Sequence, residues 1–374
     1  MSDKDNPITR ALRHRAETKG AAPAVTPLYQ TSAFEAGSEY FYTRNDNPNT
    51  REFEQAVAIL EDAKYGLAVS TGMMAITLVA GLVDLDKYVL IHTHTYGCTL
   101  RHFQRMAAKQ RFGLRIADLT QSSGIDALDE NCGLVIFETP TNPFLYTIDI
   151  KAVAKEMRAR CPNALLAVDN TWASPLFQQP IELGADISLH SATKYLSGHS
   201  DVMGGVILSN DEQIMSSLRE ERFYSGAVID PHGAWLLRRS LQTYPLRMQA
   251  HADTARAMVN FLQTRPEIER VYFPDIDERQ LTNYGCIVFF QFSPKYSGCY
   301  ERFRSSLRLF QSGTGMACVT SMVAQPYTGS HASLDDDDKA GMGLDRDLVR
   351  LCFGLEDPDD LRADLISAFD ALTE

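Results

Sequence analysis

Three short apolar runs in this chain end in polar residues suited to covalent chemistry. Leu134 to Glu138 (LVIFE) leads into Thr139-Pro140-Thr141-Asn142-Pro143, Ala164 to Val168 (ALLAV) into Asp169-Asn170-Thr171, and Ile187 to His190 (ISLH) into Ser191-Ala192-Thr193-Lys194. Open α/β sheets bind ligands at the carboxyl ends of their strands, so these runs deliver Asn142, Asp169 and Lys194 to one edge. A partly buried lysine loses enough basicity to form an imine near neutral pH; an exposed one is a snorkelling surface residue. A carboxylate such as Asp169 keeps a heteroaromatic ring nitrogen protonated and makes the ring an electron sink; its alternative role is a cap on the following helix.

Further segments supply binding groups. LAVSTGMMAIT runs from a strand-like start through Ser70-Thr71-Gly72 into a helix-forming stretch. A glycine at a helix N-terminus leaves backbone N–H groups and a favourable dipole for a phosphate, although an ordinary capped helix reads the same way. Ser191 and Thr193 offer hydroxyl donors to such an anion. Tyr96 precedes a glycine in HTYGCTLRHF and either presents its ring face to a cofactor or packs in the core. Cys98 is a small buried hydrophobe or a thiol at the site. Arg350, on the apolar run Leu348 to Gly354, needs an anion: an internal salt bridge or a substrate carboxylate held bidentately.

The elements that position these residues follow from periodicity. Tyr88 to Ile91, the three runs above and Gly205 to Leu208 are four or five residues long, apolar throughout and bounded by turns. Alternating with helical stretches, they predict a mostly parallel α/β sheet buried on both faces. A long helical pattern over Trp235 to Arg256 leads to VYF and CIVFFQF strands, the Leu348 to Gly354 strand and a final helix from Pro358, a smaller α+β unit. The stretch before Tyr40 reads as an arm, and Asp335 to Lys339 (DDDDK) as a solvated loop. The expected division is an arm over 1–45, a large domain over 46–235 and a small domain over 236–374.

Composition excludes several function classes. With 36 Lys+Arg against 48 Asp+Glu the 374-residue chain carries a net charge of -12, which argues against nucleic acid or an anionic membrane as partner. No apolar run approaches the ~20 residues of a membrane span. The seven cysteines are scattered without a C-x-x-C pair, as in a reduced cytoplasmic protein, and no metal-ligand pattern is present.

Taken together, the motifs resemble the Cys/Met-metabolism family of pyridoxal 5′-phosphate (PLP) enzymes: cystathionine γ-synthase, the γ- and β-lyases and methionine γ-lyase. The likeness runs from TPLYQTSAF and YTRNDNPNTREFE through STGMMAI, TYGCTLRHF, ETPTNP, AVDNTWASP, LGADISLHSATKYLSGHSD and AWLLRRSLQTYPLRMQAH to LVRLCFGLEDPDDL. It implies the aspartate-aminotransferase-like (fold type I) architecture. In that pattern Lys194 is the Schiff-base lysine and proton shuttle, and Asp169, with Thr171 beside it, pairs with the ring nitrogen. Tyr96 stacks on the ring and acts in acid–base steps. Gly72, Met73, Ser191 and Thr193 hold the phosphate, and Asn142 lies near the phenolate oxygen. Tyr42 and Arg44 reach the phosphate of a neighbouring subunit, which implies a homodimer sharing its sites and a homotetramer as the usual assembly. Arg350 takes the substrate carboxylate, and Ser312 lies beside the lysine. YGCT, with Cys98, resembles methionine γ-lyases. Gly313 and Ala317 depart from the family's pattern at the substrate mouth. The implied activity is γ-elimination from an amino acid, with a γ-halo amino acid among the candidate substrates. The alternatives are γ-replacement, β-elimination and a catalytically silent protein of the same fold.

Overall fold

The computed structural model describes residues 5–14, 20 and 23–373. Seven strands, β1 (Tyr65–Val69), β2 (Tyr88–His92), β3 (Gly113–Ala117), β4 (Cys132–Glu138), β5 (Leu165–Asp169), β6 (Ile187–Ser191) and β7 (Gly205–Ser209), form one sheet in the order β1-β7-β6-β5-β4-β2-β3. Strand β7 runs antiparallel to β1 and β6, and the remaining pairs are parallel. This is the mostly parallel sheet expected from the apolar runs. Central strands are buried along nearly their whole length because helices cover both faces, and two separate apolar cores result. The edge strand β3 has no counterpart in the sequence reading. Gly113, Arg115 and Ile116 are exposed, so no continuous apolar run marks it.

Helix α1 (Pro7–Arg13) packs on α2 (Pro48–Leu60), so the arm is more structured than a bare covering segment. Arg238 Nη2 donates to the carbonyls of Ala11 and His14 at 3.0 and 2.7 Å. Asn49 fastens the next stretch: its Oδ1 accepts from Tyr29 N–H and its Nδ2 donates to Pro27 O, each at 2.8 Å. The rest of the expected arm, residues 1–4, 15–19 and 21–22, lies outside the described residues. Helix α3 (Gly72–Ala80) is apolar nearly throughout and wedged against β6 and β7, whereas α4 (Gly97–Ala108) buries only Gly97 and the stripe Thr99, Leu100 and Phe103.

The second sheet comprises β8 (Ile268–Tyr272), β9 (Ile287–Phe292), β10 (Gln311–Ser312), β11 (Met322–Ala324) and β12 (Leu348–Cys352), ordered β10-β11-β12-β9-β8. Its core is aromatic, with Phe290, Phe292, Phe303 and Phe369 packed edge to face or tilted.

Two expectations need correction. The single helix over Trp235 to Arg256 is two, Pro231–Ser240 and Tyr244–Leu262, separated by a 3-10 turn at Leu241–Thr243. Pro245 is the cause: lacking an N–H, it fits the first turn of a helix and not its interior. The boundary drawn at 235/236 therefore falls inside a helix. DDDDK is not a loop but the start of a helix, Asp336–Gly341, capped by Asp335, whose side chain accepts from Asp338 N–H. Acidic residues in a first turn complement the helix dipole, and Lys339 turns inward over the Tyr327 ring at 4.4 Å. Among the described residues no helix is long and apolar enough to cross a membrane.

The two sheets meet at the segment carrying Lys194. Cys286 N–H donates to Tyr195 Oη at 2.9 Å, Val319 N–H to Gly198 O at 3.1 Å, and Arg247 Nη1 to Tyr195 O at 2.9 Å.

Candidate active site

A cavity of about 390 Å³ opens at the carboxyl ends of β4, β5 and β6, between the first sheet and β12. Gly72, Met73, Tyr96, Asn142, Asp169, Thr171, Ser191, Thr193, Lys194 and Arg350 all line it. Residues separated by up to 278 positions in the chain thus converge as the strand ends predict.

The anion end is built by close approach. Helix α3 begins at Gly72, with Thr71 Oγ1 accepting from Met74 N–H at 3.0 Å, so the N–H groups of Gly72 and Met73 remain for a ligand. A Cβ at Gly72 would lie 2.8 Å from Ser191 Cβ, so only glycine lets the helix start meet the β6 terminus. Ser191 N–H donates to Thr171 Oγ1 at 2.8 Å, and Gly204 N–H to Thr193 Oγ1 at 3.0 Å, which fixes both hydroxyl-bearing turns.

At the opposite end Asp169 Oδ1 accepts from Thr171 N–H at 3.0 Å and from the Thr171 hydroxyl. Burial raises the Asp169 carboxyl above its ordinary range, partly offset by these bonds. Lys194 is shifted down by burial first and by the nearby positive charge of Arg350 second. Its ammonium has no carboxylate within ion-pair distance among the described residues, which favours the neutral amine. Tyr96 is shifted up, by burial and then by Cys98, and so holds its phenolic proton.

Arg350 is 2 % exposed, yet no carboxylate pairs with it among the described residues. Nη2 donates to the carbonyls of Thr314 and Gly315 at 3.2 and 3.0 Å, while Nε is buried without a partner. An unpaired buried guanidinium is costly, so this geometry suits an incoming anion rather than an internal salt bridge. Asn142 Oδ1 is likewise buried and unpartnered. An amine nucleophile, a ring-nitrogen carboxylate, a helix N-terminus for phosphate and two unsatisfied polar groups together fit PLP.

A model of the Cys/Met metabolism PLP-dependent enzyme family matches residues 9–370. The chain belongs to that family. It is 37% identical to the cystathionine γ-lyase of Dictyostelium discoideum over 92% of this chain and 91% of that protein. It is 33% identical to a cystathionine β-lyase of Lactococcus lactis over 97% and 98%. A solved cystathionine γ-synthase from Xanthomonas oryzae pv. oryzae, in complex with aminoacrylate and cysteine, superposes with a TM-score of 0.95 at 31% identity, covering 99% of each chain. The protein is therefore a PLP-dependent trans-sulfuration enzyme, a lyase or transferase of amino-acid sulfur metabolism.

Not every expected residue lines the cavity, and Ser312 does not. It lies on β10 at the outer edge of the second sheet, exposed, its Oγ accepting from Arg304 Nη1 at 3.0 Å. The residues after it curl over Arg350 instead, so Thr314 and Met316 line the cavity. Cys98 is half-buried on the first turn of α4 and does not line the cavity either. Tyr42 and Arg44 are exposed and outside it, with Arg44 stacked on Phe223 at 4.6 Å. Ala317 is buried with φ 61°, its N–H donating to Cys352 Sγ at 2.9 Å. Glu138, Trp172, Met203 and Ser330 line the cavity without having been singled out. Glu138 stands at the head of ETPTNP, a motif in which Asn142 drew attention.

Proposed function

We propose that this enzyme is a lyase that eliminates the γ-substituent of an L-amino acid. The observation that carries the reading is the pairing of two proton-handling groups, Lys194 and Tyr96, with a single free cation, Arg350, in a cavity where Ile76, Met203, Thr314 and Met316 add an uncharged wall to the carboxyl side formed by Glu138 and Asp169. Bound there, PLP supplies an aldehyde that captures amines and a ring that takes up the electrons of a broken C–H bond. Arg350 binds the α-carboxylate and fixes which Cα–H faces the lysine. With PLP bound, the Lys194 amine would remove that proton, pass it to the carbon that had been the cofactor's aldehyde and so be free to take a proton at Cβ, the second transfer that γ-departure requires. Asp169 keeps negative charge beside the ring nitrogen. Tyr96, held protonated, hands its proton to the leaving group. An uncharged wall suits a thioether or a halide.

The second reading, β-elimination, is favoured by the likeness to the Lactococcus β-lyase over nearly the full chain. In either case Tyr42 and Arg44, exposed and away from their own cavity, serve the site of a partner copy in a cytoplasmic homodimer or homotetramer. Purified enzyme incubated with L-methionine, L-cystathionine, O-acyl-homoserines and γ-chloro amino acids separates the readings. The γ-lyase produces keto acid, ammonia and free thiol or halide from γ-substituted substrates; turnover of β-substituted substrates alone overturns it.

A further inference from the structure

Glu138 is the last residue of β4 and the register partner of Asp169 on β5, so two carboxyl groups face the same cavity from adjacent strands. Glu138 is buried, at 7 % exposed, and no cation pairs with it among the described residues. A buried acid beside a second acid is unfavourable unless its oxygens are used. Oε1 is used on backbone, accepting the N–H of Tyr96. Tyr96 opens α4 with no side-chain cap of its own. One side chain thus ties the start of α4 to the end of β4.

We infer that Glu138 is the positioning residue that fixes Tyr96 against the PLP ring. Tyr96 supplies the ring's stacking face, and its backbone placement is not set by α4 alone, which has no side-chain cap there. Burial and the charge of Asp169 raise the Glu138 carboxyl well above its ordinary range, which leaves Asp169 as the negative group beside the ring nitrogen. The inference rests on the cofactor site and not on which substrate bond breaks. It is therefore tested without substrate, and its failure is separate from failure of the γ-lyase reading.

The experiment titrates PLP into apoprotein, following the visible absorbance band and its pH dependence, for wild type, Glu138→Ala and Glu138→Gln. Circular dichroism and the apoprotein melting temperature monitor folding. Glu138→Ala is expected to weaken PLP binding at least tenfold with a folded apoprotein. Glu138→Gln, which keeps one acceptor oxygen, recovers part of that loss. Wild-type affinity and absorbance in Glu138→Ala overturn the inference, as does a Gln variant no better than the Ala variant. Should Glu138→Ala not fold, Glu138→Asp, whose acceptors sit one methylene further back, is titrated in its place. Wild-type affinity there overturns the inference equally.

Discussion

Lys194, held toward the neutral amine, and Arg350 line one cavity with no ion-pair partner among the described residues, and each destabilises the ligand-free protein through the feature that makes it useful. The folded state lowers the Lys194 pKa, so between that value and the unfolded value of ~10.4 the unfolded chain binds the extra proton. The lysine's contribution to stability is therefore unfavourable at neutral pH and recovers as pH rises through that window. Lys194→Met apoprotein is expected to melt roughly 2–4 °C above wild type at pH 7, a gap that closes toward pH 10, as calorimetry across pH will show, while losing the visible PLP band. Arg350→Ala removes the bidentate anchor. It should lower kcat/KM by about 10²–10³-fold, some 3–4 kcal/mol, with PLP affinity much less affected; steady-state kinetics and an apoprotein titration check the two halves.

At the scale of elements, the α3 start is the most sensitive joint. Gly72→Ala places a methyl group against Ser191 and pushes the helix terminus off the β6 end. About tenfold weaker PLP binding, ~1.4 kcal/mol, is expected in equilibrium dialysis, with pyridoxal lacking the phosphate much less affected. The central strands and the residues at their ends were legible in the sequence because burial on both faces leaves an unbroken apolar run that stops where the active-site edge begins. Strand β3 was not, because half its residues face solvent, nor was the break before Tyr244, which depends on a single Pro245 inside an otherwise helical pattern. Asp169 stood out because it follows such a run directly, and Lys194 because it ends the short polar turn after another. That Ser312 lies outside the cavity lining was not legible because β10 is two residues long, too short for its facing to be read, and the chain turns immediately after it. Glu138 was passed over because it closes a run whose other residues are all core.

At the scale of the molecule, the arm residues Tyr42 and Arg44 and the cavity belong to different surfaces of one chain. If the arm completes a neighbour's site, Lys194→Ala and Arg44→Ala subunits complement each other: in a hybrid dimer the intact lysine meets the intact arm at one of the two sites. Random mixing of the two variants by unfolding and reassembly should then restore about a quarter of the wild-type sites, counted by activity per protomer and by PLP bound. Unmixed variants remain at their own low level.

Tyr195, next to Lys194, is gripped from the far side of the molecule by Cys286 and Arg247. The yellow colour of bound cofactor is consequently a gauge of chain completion. A folding product with its first sheet formed but its second undocked would present the amine on an unheld segment and without Arg350, and would stay colourless. Recovery of colour during refolding should trail recovery of helical signal by the time the two halves take to close.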